Sequence, residues 1–277
     1  MTASRAIRSA AYYLVMAALA AVFLAPFLWM LLASLKTNAQ IFAFPPRLLP
    51  SPARWDNYLK AWTSIPLARF YLNSIYVSAV VTASQVITSA MAAYVFARLR
   101  FPFRNGLFLI YLGVMMIPSQ VTVIPLFIIV RTLRLVDTYA ALILPFLAYP
   151  FGAFLMRQFF LTIPADYEDA ARVDGCRRLG MLFRILFPLA KPALVTLAML
   201  SFMWEWNSFF WPLIVTNTTD RYTIQVGLAM LKAQLAMESN WSLLMAAAVI
   251  SIVPVLAFFI AAQKQVVRGI TLSGLKY

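Results

Sequence analysis

Six stretches of the chain stay apolar for about 20 residues, the length a helix needs to cross a bilayer. They cover residues 10–35, 70–97, 106–130, 139–161, 192–216 and 241–263. Shorter polar segments separate them, and the pattern predicts an all-α polytopic membrane protein with six transmembrane helices. Arg5 and Arg8 precede the first stretch, as in a signal peptide, but its apolar run is too long for one and five more spans follow. Residues 1–277 read as a single transmembrane domain with a loop over 162–190 and a tail over 264–277. An even number of spans puts both termini on one side.

Basic residues favour the cytoplasmic side of such loops. Segments 1–9, 98–105, 162–190 and 264–277 hold 12 Lys and Arg residues, while 36–69, 131–138 and 217–240 hold nine. The sharper signal is local: Arg98, Arg100 and Arg104 crowd one short turn that has no acidic residue. That places this turn, and both termini, in the cytoplasm. The outer segment 36–69 carries Pro45, Pro46, Pro50, Pro52 and Pro66, so it is expected to be extended or turn-like. It serves either as a partner contact or as a passive connector.

Composition narrows the chemistry. Apolar residues make up 63% of the chain and charged residues 12%. A soluble domain has about 45–50% and 25%. Too little charge remains to cover a water-soluble globule, and disorder is excluded by the same balance. The absence of histidine rules out a His base or a His-bound metal, and Cys176 alone forms no internal disulfide or cysteine cluster. No metal site is expected. The net charge of +14 suits basic loops against anionic membrane lipid better than nucleic acid. No glycine-rich phosphate loop is present, and no loop is long enough for a nucleotide-binding fold. The chain therefore needs no cofactor of its own, and any ATPase must be a different chain.

The loop 162–190 is the most informative segment. Pro164 suits the first turn of a helix. Asp166, Glu168 and Asp169 follow, where the helix dipole favours anions. Ala170 and Ala171 favour helix and leave a small surface, and Asp174-Gly175 supplies a stop. The sequence predicts a helix of about ten residues and then a basic amphipathic stretch. In that stretch Arg177, Arg178 and Arg184 face phosphates while Leu179, Leu182, Phe183 and Leu186 face oil. From the residues alone, the helix is either a docking element or a plain interfacial helix.

Within the spans, Glu205 is the one carboxylate well inside the apolar runs, so it is expected to face protein or water. Trp204, Glu205 and Asn207, with Trp206 and Trp211 nearby, could form a sugar site or a structural contact. Gln120, beside Pro118 in the third span, is a further candidate for a substrate path. A helix kink is expected at Pro118. Asn73, Ser74, Ser78, Thr82, Ser84, Gln85, Thr88 and Ser89 in the second span suit close helix packing or a wet path.

The loop resembles the EAA loop of binding-protein-dependent ABC importer permeases, E-A-A-x-x-x-G, nine residues, then I-x-L-P. This chain has Asp169-Ala170-Ala171, three residues, Gly175, nine residues, then Ile185, Leu186, Phe187 and Pro188. Asp169 replaces the glutamate and Phe187 the leucine. Glu168 lies next door, leaving open which carboxylate docks. The segment around Trp206-Asn207 is similar to the fifth span of sugar permeases. The tail, with Gly269, Thr271, Gly274 and Lys276, resembles that of MalG-type subunits. The resemblance implies a transport subunit in a prokaryotic inner membrane, for a sugar or sugar-like solute. It implies a second homologous permease, two ATPase subunits that bind ATP and Mg, and a periplasmic or lipid-anchored substrate-binding protein. Residues 168–171, 174, 175, 185 and 188, and the tail, would then meet the ATPase. Two other classes compete. A stand-alone secondary transporter or channel needs intramembrane ionisable groups, of which only Glu205 is credible. A membrane enzyme lacks a plausible set of catalytic groups.

Overall fold

The computed structural model describes residues 3–238 and 240–274, with side chains for 8–234 and 240–265. All regular elements among them are helical. In chain order they are α1 (Ala3–Ser34), α2 (Asp56–Ser64), α3 (Leu67–Arg98), α4 (Arg104–Gly113), α5 (Ser119–Thr132), α6 (Tyr139–Ile143), α7 (Pro150–Thr162), α8 (Asp166–Val173), α9 (Lys191–Trp206), α10 (Phe210–Val215), α11 (Ile224–Glu238) and α12 (Trp241–Gly274), with short helical turns between and a helical segment of mixed pitch over Arg178–Leu189.

Among the described residues, only α1, α3 and α12 are long and apolar enough to cross a membrane unbroken. The count of six is reached through bent pairs. Arg104–Met116 meets Ser119–Thr132 at 94°, Tyr139–Phe146 meets Pro150–Thr162 at 42°, and Arg178–Leu189 meets Lys191–Trp206 at 86°. The first of these bends falls at the kink expected at Pro118, the second falls within 139–161, and the third lies at Ala190, just before 192–216. Proline supplies the physical reason. Ile117 and Tyr149, each just before a proline, are extended, as the proline ring forces them to be. Within 192–216 the helix stops at Trp206 and restarts at Phe210. Pro212 lacks the N–H that would bond the Ser208 carbonyl, and its ring crowds that carbonyl.

Two of the connecting segments also differ from expectation. The stretch 36–69 is not wholly extended: α2 and a single turn over Asn38–Ile41 form in it. Thr37 and Gln40 cap that turn reciprocally, while Pro45, Pro46, Pro50 and Pro52 fall in the irregular part between. The stretch 217–240 contains α11, an apolar helix too short to have been read as a span.

The chain forms two compact units. In the first, Met1–Ala68 with Gly227–Val253, Asn57 closes the end of α1 by donating to the carbonyls of Ser34 and Lys36 at 2.8 and 2.9 Å. Asn38 receives the backbone N–H of Ser242 at the start of α12.

The second unit, Arg69–Val226 with Pro254–Tyr277, has a core that joins α3, α7, the 181–190 segment and α9. Ala90, Ala93, Met156, Phe160, Leu182, Leu186 and Leu197 are all buried there. The helices approach closely at Gly152, where a Cβ would lie 2.4 Å from Ser89 Oγ and 2.9 Å from Leu197 Cδ1. The polar stripe of α3 has a definite task here. Gln85 donates to the Phe146 carbonyl, Ser84 and Thr88 to Leu147, and Ser89 to Tyr149, at 2.9–3.2 Å. The Phe146 and Leu147 carbonyls are left without a backbone donor where Pro150 breaks the helix, and in an apolar surrounding they must find donors; the Tyr149 carbonyl already accepts the Ala153 N–H at 3.1 Å, and Ser89 adds a second bond to it.

Candidate coupling site

Helix α8 spans eight residues rather than ten, with Asp174 as its C-cap. Pro164 lies just before it rather than in its first turn. Gly175 has φ +74°, and a Cβ there would meet nothing within 4 Å. Glycine is thus needed for its left-handed backbone and not for space.

The two neighbouring carboxylates of α8 have opposite fates. Glu168 points inward with 3% of its side chain exposed, and its Oε1 lies 2.7 Å from Arg98 Nε at the end of α3. Arg98 also donates from its other nitrogen to the carbonyls of Phe160 and Ile163, both at 2.7 Å. One guanidinium therefore ties the end of α3 to the end of α7 and to α8. Asp169 points outward, 63% exposed, and pairs with Arg172 at 2.7 Å.

Position along the helix explains the division. Asp166, Asp169, Ala170 and Val173 follow the i, i+3, i+4, i+7 spacing of one helix face, and all four are exposed. Ala171 shares the buried face with Glu168. The outward face is small and acidic at its start and apolar at its end, where Val173 is 88% exposed. Tyr167 is exposed beside it. Val173 and Tyr167 belong to this surface, and the sequence signal for them was the helical period itself. Arg98 was legible only as a charge for orientation, although an arginine at a span end with no acid nearby in sequence requires a distant partner.

The stretch after α8 corrects one expectation. Leu182 and Leu186 are buried in the protein core, while Leu179 and Phe183 are exposed. A π-helical turn over Met181–Leu186 shifts the register, and it carries Ile185, half-buried, to Pro188, exposed. For the tail, the backbone of α12 continues to Gly274, but the side chains of Thr271 and its neighbours from 266 onward, and all of Lys276, lie outside the described residues. The same holds for Gly269 and Gly274 as contact positions.

The membrane candidates do not converge on one surface. Glu205 is 8% exposed and lines an enclosed niche of about 10 Å³ with Ser74, Ser78, Ser208 and Thr223. That is room for about one water. Trp204 is exposed on another face. Asn207 is exposed and donates to the Met203 carbonyl at 2.7 Å. Gln120 is exposed on α5 beside Ser119. Trp206 is buried and stacks on Phe202, and the Trp211 indole N–H donates to the Ala141 carbonyl at 2.9 Å. Both rings serve packing, so an aromatic sugar platform built from Trp204, Trp206 and Trp211 together is not what the fold forms.

Residues 85–272, more than half of the chain, match the family described as "Binding-protein-dependent transport system inner membrane component". The chain belongs to that family. It is 35% identical over 254 residues to the arabinooligosaccharides transport system permease protein AraQ of Halalkalibacterium halodurans, covering 91% of this chain and 90% of that one. It is also 35% identical over 253 residues to the sulfoquinovosyl glycerol transport system permease protein SmoH of Agrobacterium fabrum, covering 91% and 88%. Its fold matches a chain in the crystal structure of a bacterial ABC transporter involved in import of the acidic polysaccharide alginate, with TM-score 0.83, 26% identity, and coverage of 95% and 98%. The described chain is thus a multi-pass membrane permease, with α8 lying between the fourth and fifth crossings.

Proposed function

We propose that this permease carries a sugar or sugar-like solute inward and is driven by a separate ATPase dimer that grips α8. The observation that carries the reading is the split of Glu168 and Asp169. Glu168 fixes α8 to the end of α3 through Arg98, and the face bearing Asp169, Ala170 and Val173 is left free for a partner. A push on that face is transmitted to α3 and α7 together, because Arg98 holds both. Such a push shifts the transport equilibrium only if the ATPase binds the two conformations unequally.

The substrate class is supported by relatives that carry arabinooligosaccharides and sulfoquinovosyl glycerol, both rich in hydroxyls. A second, homologous permease completes the pathway, and a substrate-binding protein delivers the solute from outside; the family's description as binding-protein-dependent supports the latter. ATP and Mg belong to the ATPase chains. Both termini and the 98–105 turn face the cytoplasm. Glu205, Trp204, Asn207 and Gln120 remain separate candidates for contact with the solute and do not form one site in this chain.

The test is reconstitution of both permeases, the ATPase and the binding protein in liposomes. Uptake that requires ATP and collapses in Asp169→Lys supports the reading. Uptake by this chain alone, without ATP, would show a secondary transporter or channel instead.

A further inference from the structure

We propose that the groove between the 98–104 turn and α8 is a binding site for the phosphate of an anionic phospholipid. The groove has a volume of about 900 Å³, and five arginines border it against two carboxylates. Both carboxylates are already paired, Glu168 with Arg98 and Asp169 with Arg172. Arg104 donates only to the Leu99 carbonyl, at 3.2 Å. Arg100 and Arg178 neither donate to a protein group nor pair with a carboxylate among the described residues. Three cations from two separate segments thus border one space that holds no free protein counter-ion.

Guanidinium groups pair best with planar or tetrahedral oxyanions, and phosphate accepts from several at once. The groove's surroundings select a lipid as the source. Phe103, at the tip of the turn, is 85% exposed. Leu107, Leu179 and Phe183 are exposed too, one to five residues along the chain from Arg104 or Arg178. A charged interior bordered by oil-facing side chains matches a headgroup with its acyl chains beside it. An acidic protein segment would leave those apolar groups uncovered. The inference does not depend on α8 gripping an ATPase, although both use the same loop.

The assembled transporter is placed in nanodiscs of phosphatidylcholine with a minor share of phosphatidylglycerol of identical acyl chains. Lipids retained after gentle extraction are counted by native mass spectrometry. The wild-type complex is expected to retain phosphatidylglycerol above its bulk share. Arg100→Gln and Arg178→Gln are each expected to lower that enrichment about fivefold, since a basic residue at an anionic surface contributes about 1 kcal/mol. The matching lysine variants retain most of it. Absence of enrichment in the wild type overturns the proposal, as does equal enrichment in the glutamine variants. Displacement of the lipid by millimolar inorganic phosphate assigns the groove to a free anion. Loss of the ATPase subunits with lipid retention unchanged assigns it to a protein partner. Each of these two results also overturns the proposal. The wild-type comparison stands even if a variant fails to assemble.

Discussion

Arg98 and Glu168 meet at 2.7 Å with 12% and 3% of their side chains exposed, and this pair is the joint between α3 and α8. Neither the Arg98 Nε nor the Glu168 Oε1 has a hydrogen-bond partner elsewhere. Removing one member of such a buried pair strands the other's charge, at a cost of about 3–5 kcal/mol. Glu168→Ala is therefore expected to lower the thermal stability of the purified permease markedly. Asp169→Ala, at an exposed position, is expected to leave that stability within about 0.5 kcal/mol and to weaken ATPase co-purification. Equal thermal midpoints for the two variants would refute the division of labour between the carboxylates.

Close packing at Gly152 gives a second expectation. A methyl group there collides with Ser89, whose hydroxyl donates to the Tyr149 carbonyl. Gly152→Ala is expected to destabilise by about 1–3 kcal/mol, as overpacked sites do. Adding Ser89→Gly removes the nearer of the two obstructing side chains, with Leu197 Cδ1 still at 2.9 Å, so the double variant should recover part of the loss. A double variant no more stable than Gly152→Ala would show that the strain lies elsewhere.

The α3 stripe can be tested at Gln85. Replacing it with leucine leaves the Phe146 carbonyl without its donor at 2.9 Å. The expected cost is about 1–3 kcal/mol for an orphaned buried acceptor, read as a fall in the thermal midpoint. An unchanged midpoint would show that the stripe serves packing or a wet path and not the broken helix.

The loop after α10 has a pH dependence of known sign. Burial raises the Asp137 carboxyl pKa. The backbone N–H groups of Asn217 and Thr218, the Thr218 hydroxyl and nearby Arg221 outweigh it, and the group sits below the usual carboxylate range. A carboxylate lowered in the folded state stabilises fully above its unfolded pKa, about 3.9, and loses that effect as pH falls through the folded value. Amide exchange at 217–218, corrected for intrinsic rate, should thus stay slow near neutral pH and accelerate below about pH 4. Asp137→Asn should exchange faster at neutral pH, with little further change on acidification. Identical pH profiles for the two proteins would contradict the clamp.

Much of this was legible in the sequence because bilayer length and the loop's spacing are local signals. The apolar runs showed that the chain crosses a membrane several times, and Asp169-Ala170-Ala171 with Gly175 located the short helix α8. The breaks at Tyr149 and around Ser208 were less legible. A proline inside an apolar run is tolerated when neighbours supply donors, and the donors here, Ser84, Gln85, Thr88 and Ser89, lie some 60 residues away in the chain. The same holds for Glu168, since nothing between Arg98 and α8 in sequence announces their pairing. The π-helical turn at 181–186 changed which leucines are buried because periodicity arguments assume 3.6 residues per turn. The membrane candidates read as one aromatic cluster only because they are close in sequence. Neighbours on a helix point in different directions, and Trp204 and Glu205 accordingly face apart.

The most direct measurement places a photoreactive benzophenone at position 170, through Ala170→Cys in a chain with Cys176→Ser, in membranes that contain the whole transporter. Ala170 lies on the exposed face of α8. Illumination is expected to yield an adduct with the ATPase subunit, in an amount that changes when ATP is added. Adducts with lipid alone, at full transport activity, would contradict the account.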